Sequence, residues 1–144
     1  MISWICVLKK EYRAALRILD GKYDPAGLVR GQGDKNHYSL RRVGTHNIII
    51  NLPPAEMYGQ IHASRIAADM KSTFPRVQFV LLVGITGGAL SPKHDIHLGN
   101  VVLGIKVVPY ETGQETDYGF EQTGLIQKPS RELLEAITFL DERL

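Results

Sequence analysis

Phe79-Val80-Leu81-Leu82-Val83-Gly84-Ile85-Thr86-Gly87-Gly88 is the stretch on which the fold turns. Phe79 to Val83 is a continuous apolar run, the pattern of a strand covered on both faces. It leads into three glycines within five residues. Glycine lets a backbone turn sharply and lets a ligand approach main-chain N–H groups. Open α/β sheets bind ligands beyond the carboxyl ends of their strands, so Gly84, Ile85, Thr86, Gly87 and Gly88 are candidate substrate-binding residues. A plain tight turn fits the same spacing. The segment is neither a Walker A loop, having no Gly-Lys-Ser/Thr, nor a dinucleotide fingerprint, having no helix directly behind it.

Working back from this strand, Pro75 closes a helix expected from about Tyr58 to Lys71, with Ala63, Ile66, Ala67 and Met70 on one face. Pro53-Pro54 breaks the chain before it. His37 to Val43 and Asn47 to Leu52 read as a hairpin around Gly44-Thr45-His46. Gly21 to Lys35 reads as a loop, with no strand leading into its glycines. Ile2 to Leu8 is a short buried strand. From Glu11 to Leu19 the period becomes helical, burying Tyr12, Ala15, Leu16 and Leu19, and Asp20-Gly21 stops the helix.

Working forward, Val101 to Val108 reads as a further strand, Glu111 to Gln127 as irregular, and Ser130 onward as a helix burying Leu133, Leu134, Ile137 and Leu140. The order β-α-β-β-α-β-β-α predicts an α/β fold: a mixed, mostly twisted central sheet flanked by helices, in one domain over 1–144. Nothing closes the last helix, and a sheet protein that stops on a helix after its fifth strand reads as truncated. The unpaired edge this leaves predicts a homo-oligomer.

Composition narrows the function classes. The hydrophobic fraction is 44% and the charged fraction 22%, both near the globular average, and 144 residues suit one domain with a real core. The net charge of +2 is scattered, which argues against a nucleic-acid or anionic-membrane partner but leaves room for a phosphate-bearing small molecule. No apolar stretch reaches membrane length and the N-terminus has no signal-peptide pattern, so a soluble, cytoplasmic protein is expected. The single cysteine, Cys6, reads as strand core, because no basic neighbour lowers its pKa.

Glu11 stands just past the first strand at a helix start, where a carboxylate suits the positive end of the helix dipole. His94-Asp95-Ile96-His97 offers two histidines without an obvious further ligand, so no metal is expected. His37, His46 and His62 have no assignable partner.

Four segments in order resemble the nucleoside phosphorylase superfamily, which includes purine and uridine phosphorylases and the methylthioadenosine/adenosylhomocysteine nucleosidases. They are Trp4 to Glu11, Val43 to Ile50, Val83 to Gly88, and Asp95-Ile96-His97-Leu98-Gly99-Asn100-Val101-Val102. The wording of Pro75 to Gly88 and of Lys128-Pro129-Ser130 is similar to phosphorylase-like N-terminal domains of fungal NACHT and ankyrin-repeat receptor-like proteins. The resemblance covers nearly the whole chain. Each motif is modest by itself, and four in the right order are more specific.

The resemblance implies a three-layer sandwich acting on the N-glycosidic bond of a purine nucleoside or nucleotide, with no metal or organic cofactor. It puts Glu11 where nucleosidases keep the carboxylate that activates water, and Gly84 to Gly88 in the loop lining the ribose and phosphate. Phosphorylases carry an Arg and a Ser where this chain has Leu82 and Ile85. An apolar pair cannot neutralise a phosphate dianion, so hydrolysis is expected over phosphorolysis. Asn100 and His97 replace an Asp and a basic residue, changes read as structural. The family's base-gripping segments would follow Leu144, so slow turnover is expected. A non-catalytic nucleotide-sensing or assembly module and an inactive fragment are the alternatives.

Overall fold

Three of the apolar segments singled out above meet in one sheet. The structure is a computed structural model that describes residues 1–24, 27–57, 59–88 and 95–142. They fall into two compact units, Met1–Gly87 and Gly88–Leu144. The first contains β1 (Ile2–Ile5), α1 (Lys9–Ile18), β2 (His37–Val43), β3 (His46–Leu52), α2 (Gln60–Thr73) and β4 (Phe79–Leu82). The second contains β5 (Gly113–Thr116), β6 (Gly119–Gln122) and α3 (Arg131–Asp141).

The sheet of the first unit runs β2-β3-β1-β4. β1 is central and parallel to both neighbours: Trp4 lies opposite Ile50 on one side and Leu81 on the other. β2 is antiparallel to β3, so the sheet is mixed, as the sequence predicts. The carboxyl ends of β1, β3 and β4 therefore point the same way.

Strand alternation divides the core between two helices. Ile48 and Ile50 pack with Cys6, Ala15 and Leu19 on the α1 face. Ile49 turns the other way and packs with Ile5, Ile66, Met70 and Phe74 on the α2 face. Ile49 and Ile50 are fully buried, each worth about 1.5–3 kcal/mol of apolar transfer. The hairpin turn is the two residues Gly44-Thr45, with Gly44 at φ 52°, the left-handed geometry that two-residue hairpins demand. His46 pairs with Val43, so β3 starts one residue earlier than expected.

The 27–36 loop is fixed to the end of α2 by Asp34, which is 8% exposed. Its Oδ2 accepts from Tyr38 (2.8 Å) and Thr73, and its Oδ1 from the Asn36 N–H and side-chain amide (2.9 and 3.0 Å). The Asn36 amide also donates to Asp69 (3.1 Å).

Several expectations are corrected. β1 ends at Ile5, not Leu8, because the chain turns into α1 at Lys9. α2 begins at Gln60, capped by Gly59 at φ 98°; the expected start at Tyr58 lies outside the described residues. Val101 to Val108 is not a strand: it is exposed throughout and pairs only at Val107, opposite Gln127. Gly104 interrupts the run and supplies no side chain to pack, which weakens a strand at its centre. The supposedly irregular Glu111–Gln127 contains the β5–β6 hairpin, turned at Asp117-Tyr118 with Gly119 at φ 113°. α3 forms as expected, but Leu133, Leu134 and Ile137 are only half-buried and Leu140 is exposed.

Candidate functional site

The β1–α1 turn and the end of β4 lie at the same edge of the sheet because their strands are parallel neighbours. Two side chains fix this edge. Asn51, fully buried in β3, accepts from the Cys6 N–H (2.8 Å) and donates to the Cys6 carbonyl (3.0 Å). Its amide thus supplies the rung that would follow Trp4–Ile50 in the β1–β3 ladder. Glu11, in the first turn of α1, supplies the second tie. Its Oε2 accepts from the N–H groups of Val7 (3.0 Å) and Leu8 (2.8 Å), and its Oε1 accepts from Ile85 (2.9 Å), 74 residues away.

Gly84 is explained by this carboxylate. A Cβ there would lie 2.5 Å from Glu11 Oε1 and 2.8 Å from its carboxyl carbon. The glycine is needed for close approach of this side chain, a use distinct from the sharp turn and the ligand approach that the sequence suggested. Gly87 has open space around it, and Gly88 closes against the Ile96 side chain, 2.8 Å from where a Cβ would stand. Ile85, Thr86, Gly87 and Gly88 are all exposed. Glu11, Gly84 and Ile85 are therefore in direct contact, whereas the Thr86 hydroxyl makes only a long bond of 3.4 Å to the next carbonyl.

Electrostatics define what Glu11 can do. Burial would raise its pKa, but the N–H groups of Ile85, Leu8 and Val7, with the Lys10 charge, outweigh that effect and hold it below the ordinary 4.5. It is a carboxylate at neutral pH. A carboxylate offers about four lone-pair sites, and three are taken, so Oε1 retains one. Burial, with the Glu11 charge nearby, pushes the Cys6 thiol up to about 11, so it is a protonated core residue as the sequence implied.

Between the ends of β1 and β3 and the start of α2 lies a pocket of about 10 Å³ beside Val7, Pro53, Gly59 and His62, room for one water. Sequence reasoning left His62 without a role and missed Asn51 altogether. The signal for Asn51 was present: it is the one amide inside the run Ile48-Ile49-Ile50-Asn51-Leu52.

The Asp95–His97 segment leads into a turn over Leu98-Gly99, closed by the Asn100 N–H donating to the His97 carbonyl at 3.1 Å. Asp95 and His97 approach within 3.6 Å, both largely exposed, and Asn100 Oδ1 accepts from the His97 N–H at 2.6 Å. Gly99 takes φ 97° there. Asn100 thus has a structural partner. No group of three or more metal-ligating side chains occurs among the described residues, and His94 lies outside them. No helix among the described residues is long and apolar enough to cross a membrane.

Among curated proteins, a nucleotide-binding leucine-rich repeat (NLR)-like protein of Hyaloscypha variabilis is 34% identical over 145 residues. The match covers 96% of this chain and 14% of that protein, so the chain corresponds to a small part of its relative. No family model matches the chain. No solved structure matches it.

Proposed function

We propose that this chain belongs to a nucleoside phosphorylase-type domain that acts on the N-glycosidic bond of a purine nucleoside or nucleotide by hydrolysis. The observation that carries this reading is the 2.9 Å bond from the Ile85 N–H to Glu11, which joins the two segments the resemblance selects. The helix–sheet–helix layering of the first unit also suits the three-layer sandwich of that superfamily. The free lone pair of Oε1 holds a water beside the glycine segment. As the C–N bond loosens, its electron pair leaves with the base and an oxocarbenium-like ribose develops. The water oxygen bonds to the anomeric carbon and gives its proton to the carboxylate, which passes it to solvent, while the departing base takes a proton from solvent. Leu82 and Ile85 supply no cation beside the glycine segment itself, which favours water over phosphate as nucleophile there.

A second reading has its own support. Three N–H donors make Glu11 a weak base, and general-base catalysis works best with a pKa near the working pH. On that reading the domain recognises a nucleotide without turning it over, in keeping with the nucleotide binding in the name of the matched NLR-like protein. The test is release of free base from a panel of purine nucleosides and nucleotides, with and without phosphate, by wild type and Glu11→Gln. Phosphate-independent release abolished in Glu11→Gln is expected. Strict phosphate dependence with ribose 1-phosphate as product would refute hydrolysis, and saturable binding without release would establish the second reading.

A further inference from the structure

The loop into β2 and the first residue of α1 enclose a groove of about 300 Å³, lined by Lys9, Lys35, Asn36 and His37 against a wall from Leu52 to Ala55. The wall contains Pro53-Pro54, whose rings restrict the backbone. His37 lies opposite Leu52 in the β2–β3 register, so the groove sits at the carboxyl end of β3, the same edge of the sheet that carries Glu11.

Neither lysine of this groove makes an ion pair among the described residues. Lys9, Lys35 and His37 are exposed, and no carboxylate lines the groove. Asp34 and Glu11, the acids nearest the two lysines in sequence, direct their oxygens to Thr73, Tyr38 and Asn36 and to Val7, Leu8 and Ile85 rather than to the lysines. Arg30 adds a further cation at its margin, donating to the Asn36 carbonyl at 2.8 Å. Two lysines brought to one concavity repel each other unless an anion lies between them. A volume of about 300 Å³ exceeds what a lone phosphate fills and matches the lower range of small-molecule sites.

We infer that this groove binds the phosphoryl group of a nucleotide, making the ligand of the domain a nucleoside phosphate rather than a free nucleoside. The nucleoside half of this inference rests on the function proposed above. Lys9 and Glu11 belong to the same first turn of α1, so a single ligand can lie across it with its sugar near Glu11 and its phosphate in the groove. The cations missing at Leu82 and Ile85 are supplied on the other side of that turn.

The experiment titrates adenosine, adenosine 5′-monophosphate and inorganic phosphate into wild type, the Lys9→Gln/Lys35→Gln double variant and a Lys71→Gln control. Calorimetry is run at low and at 0.3 M salt, after circular dichroism has shown each variant folded. Wild type and the control should bind the monophosphate roughly tenfold or more tightly than adenosine, a preference built from two short-range charge contacts. The double variant and high salt should bring the two ligands level, with adenosine affinity unchanged. Equal binding of both ligands by wild type, or an undiminished preference in the double variant, overturns the inference. Inorganic phosphate bound by wild type and lost in the double variant, with no adenosine binding and no gain for the monophosphate, removes the nucleoside reading and the nucleotide assignment while leaving an anion groove. Absence of binding by all three ligands overturns the inference outright.

Discussion

Gly84→Ala tests whether the glycine after β4 exists for the Glu11 carboxylate. The added Cβ would stand 2.5 Å from Oε1, a contact that must be relieved. The clash is with the end of a flexible side chain, so the carboxylate swings away and the backbone stays. The cost is then the Ile85 N–H···Oε1 bond. A hydrogen bond to a charged group contributes about 1.5–3 kcal/mol when shielded, and exposure of Ile85 lowers that to about 1–2 kcal/mol. For a protein of this size the melting temperature should drop by about 3–6 °C. The decisive measurement is a double-mutant cycle with Glu11→Ala, followed by urea unfolding. Once the carboxylate is gone there is nothing to clash with and no bond to lose. Gly84→Ala should then be neutral, or stabilising by about 0.5 kcal/mol through the unfolded chain. Equal destabilisation in both backgrounds would show that Gly84 serves its own backbone and that the contact with Glu11 is incidental.

Asn51→Ala should destabilise by about 2–4 kcal/mol in urea unfolding, because it strands the buried N–H and carbonyl of Cys6; a loss under 1 kcal/mol would mean that β1 and β3 close without this rung. Asp34→Ala should cost a similar amount and release the 27–36 loop, which limited proteolysis reads as new cleavage there; an unchanged digestion pattern would refute the clamp. Burial would raise both carboxyls, but hydrogen bonds hold Glu11 below 4.5 and Asp34 below 3.8. A depressed folded pKa contributes stability that is fully present above the unfolded value and is lost as pH falls through the folded one. Wild type should therefore lose stability below about pH 4.5 more steeply than a Glu11→Gln/Asp34→Asn variant, and parallel curves would contradict the assigned hydrogen bonds.

The parts of this architecture legible in the sequence are those governed by local pattern. Phe79 to Leu82 reads as a strand because nothing polar interrupts it, and the β2–β3 hairpin declares itself through Gly44. The strand is not the doubly covered one expected: β4 lies at the sheet edge with Val80 and Leu82 exposed, because the apolar run names no element to cover that face. Glu11 and Gly84 could be named, but their mutual contact could not: no periodicity links residues 73 apart. Val101 to Val108 misled for the converse reason, since apolar composition states a preference for burial without naming a partner strand. The β5–β6 hairpin was missed because its strands, exposed almost throughout, show no alternation between an apolar and a polar face. Asn51 escaped because one amide in an apolar run looks like a defect until the opposing Cys6 backbone is seen.

The Glu11–Ile85 tie bears on when the site comes into being. Its two ends cannot meet until β4 has docked beside β1, after some seventy intervening residues have been ordered, and the entropy of closing that span is offset only by sheet contacts already made. Helix α1 can form early from its own neighbours, yet its first turn stays without its long-range partner until then. A nascent or partly opened chain would therefore hold Glu11 with only its local Val7 and Leu8 donors, without the Ile85 bond that also lowers its pKa, while most of its helix is already in place. The state of this one carboxyl distinguishes a merely collapsed chain from one whose binding edge has been assembled.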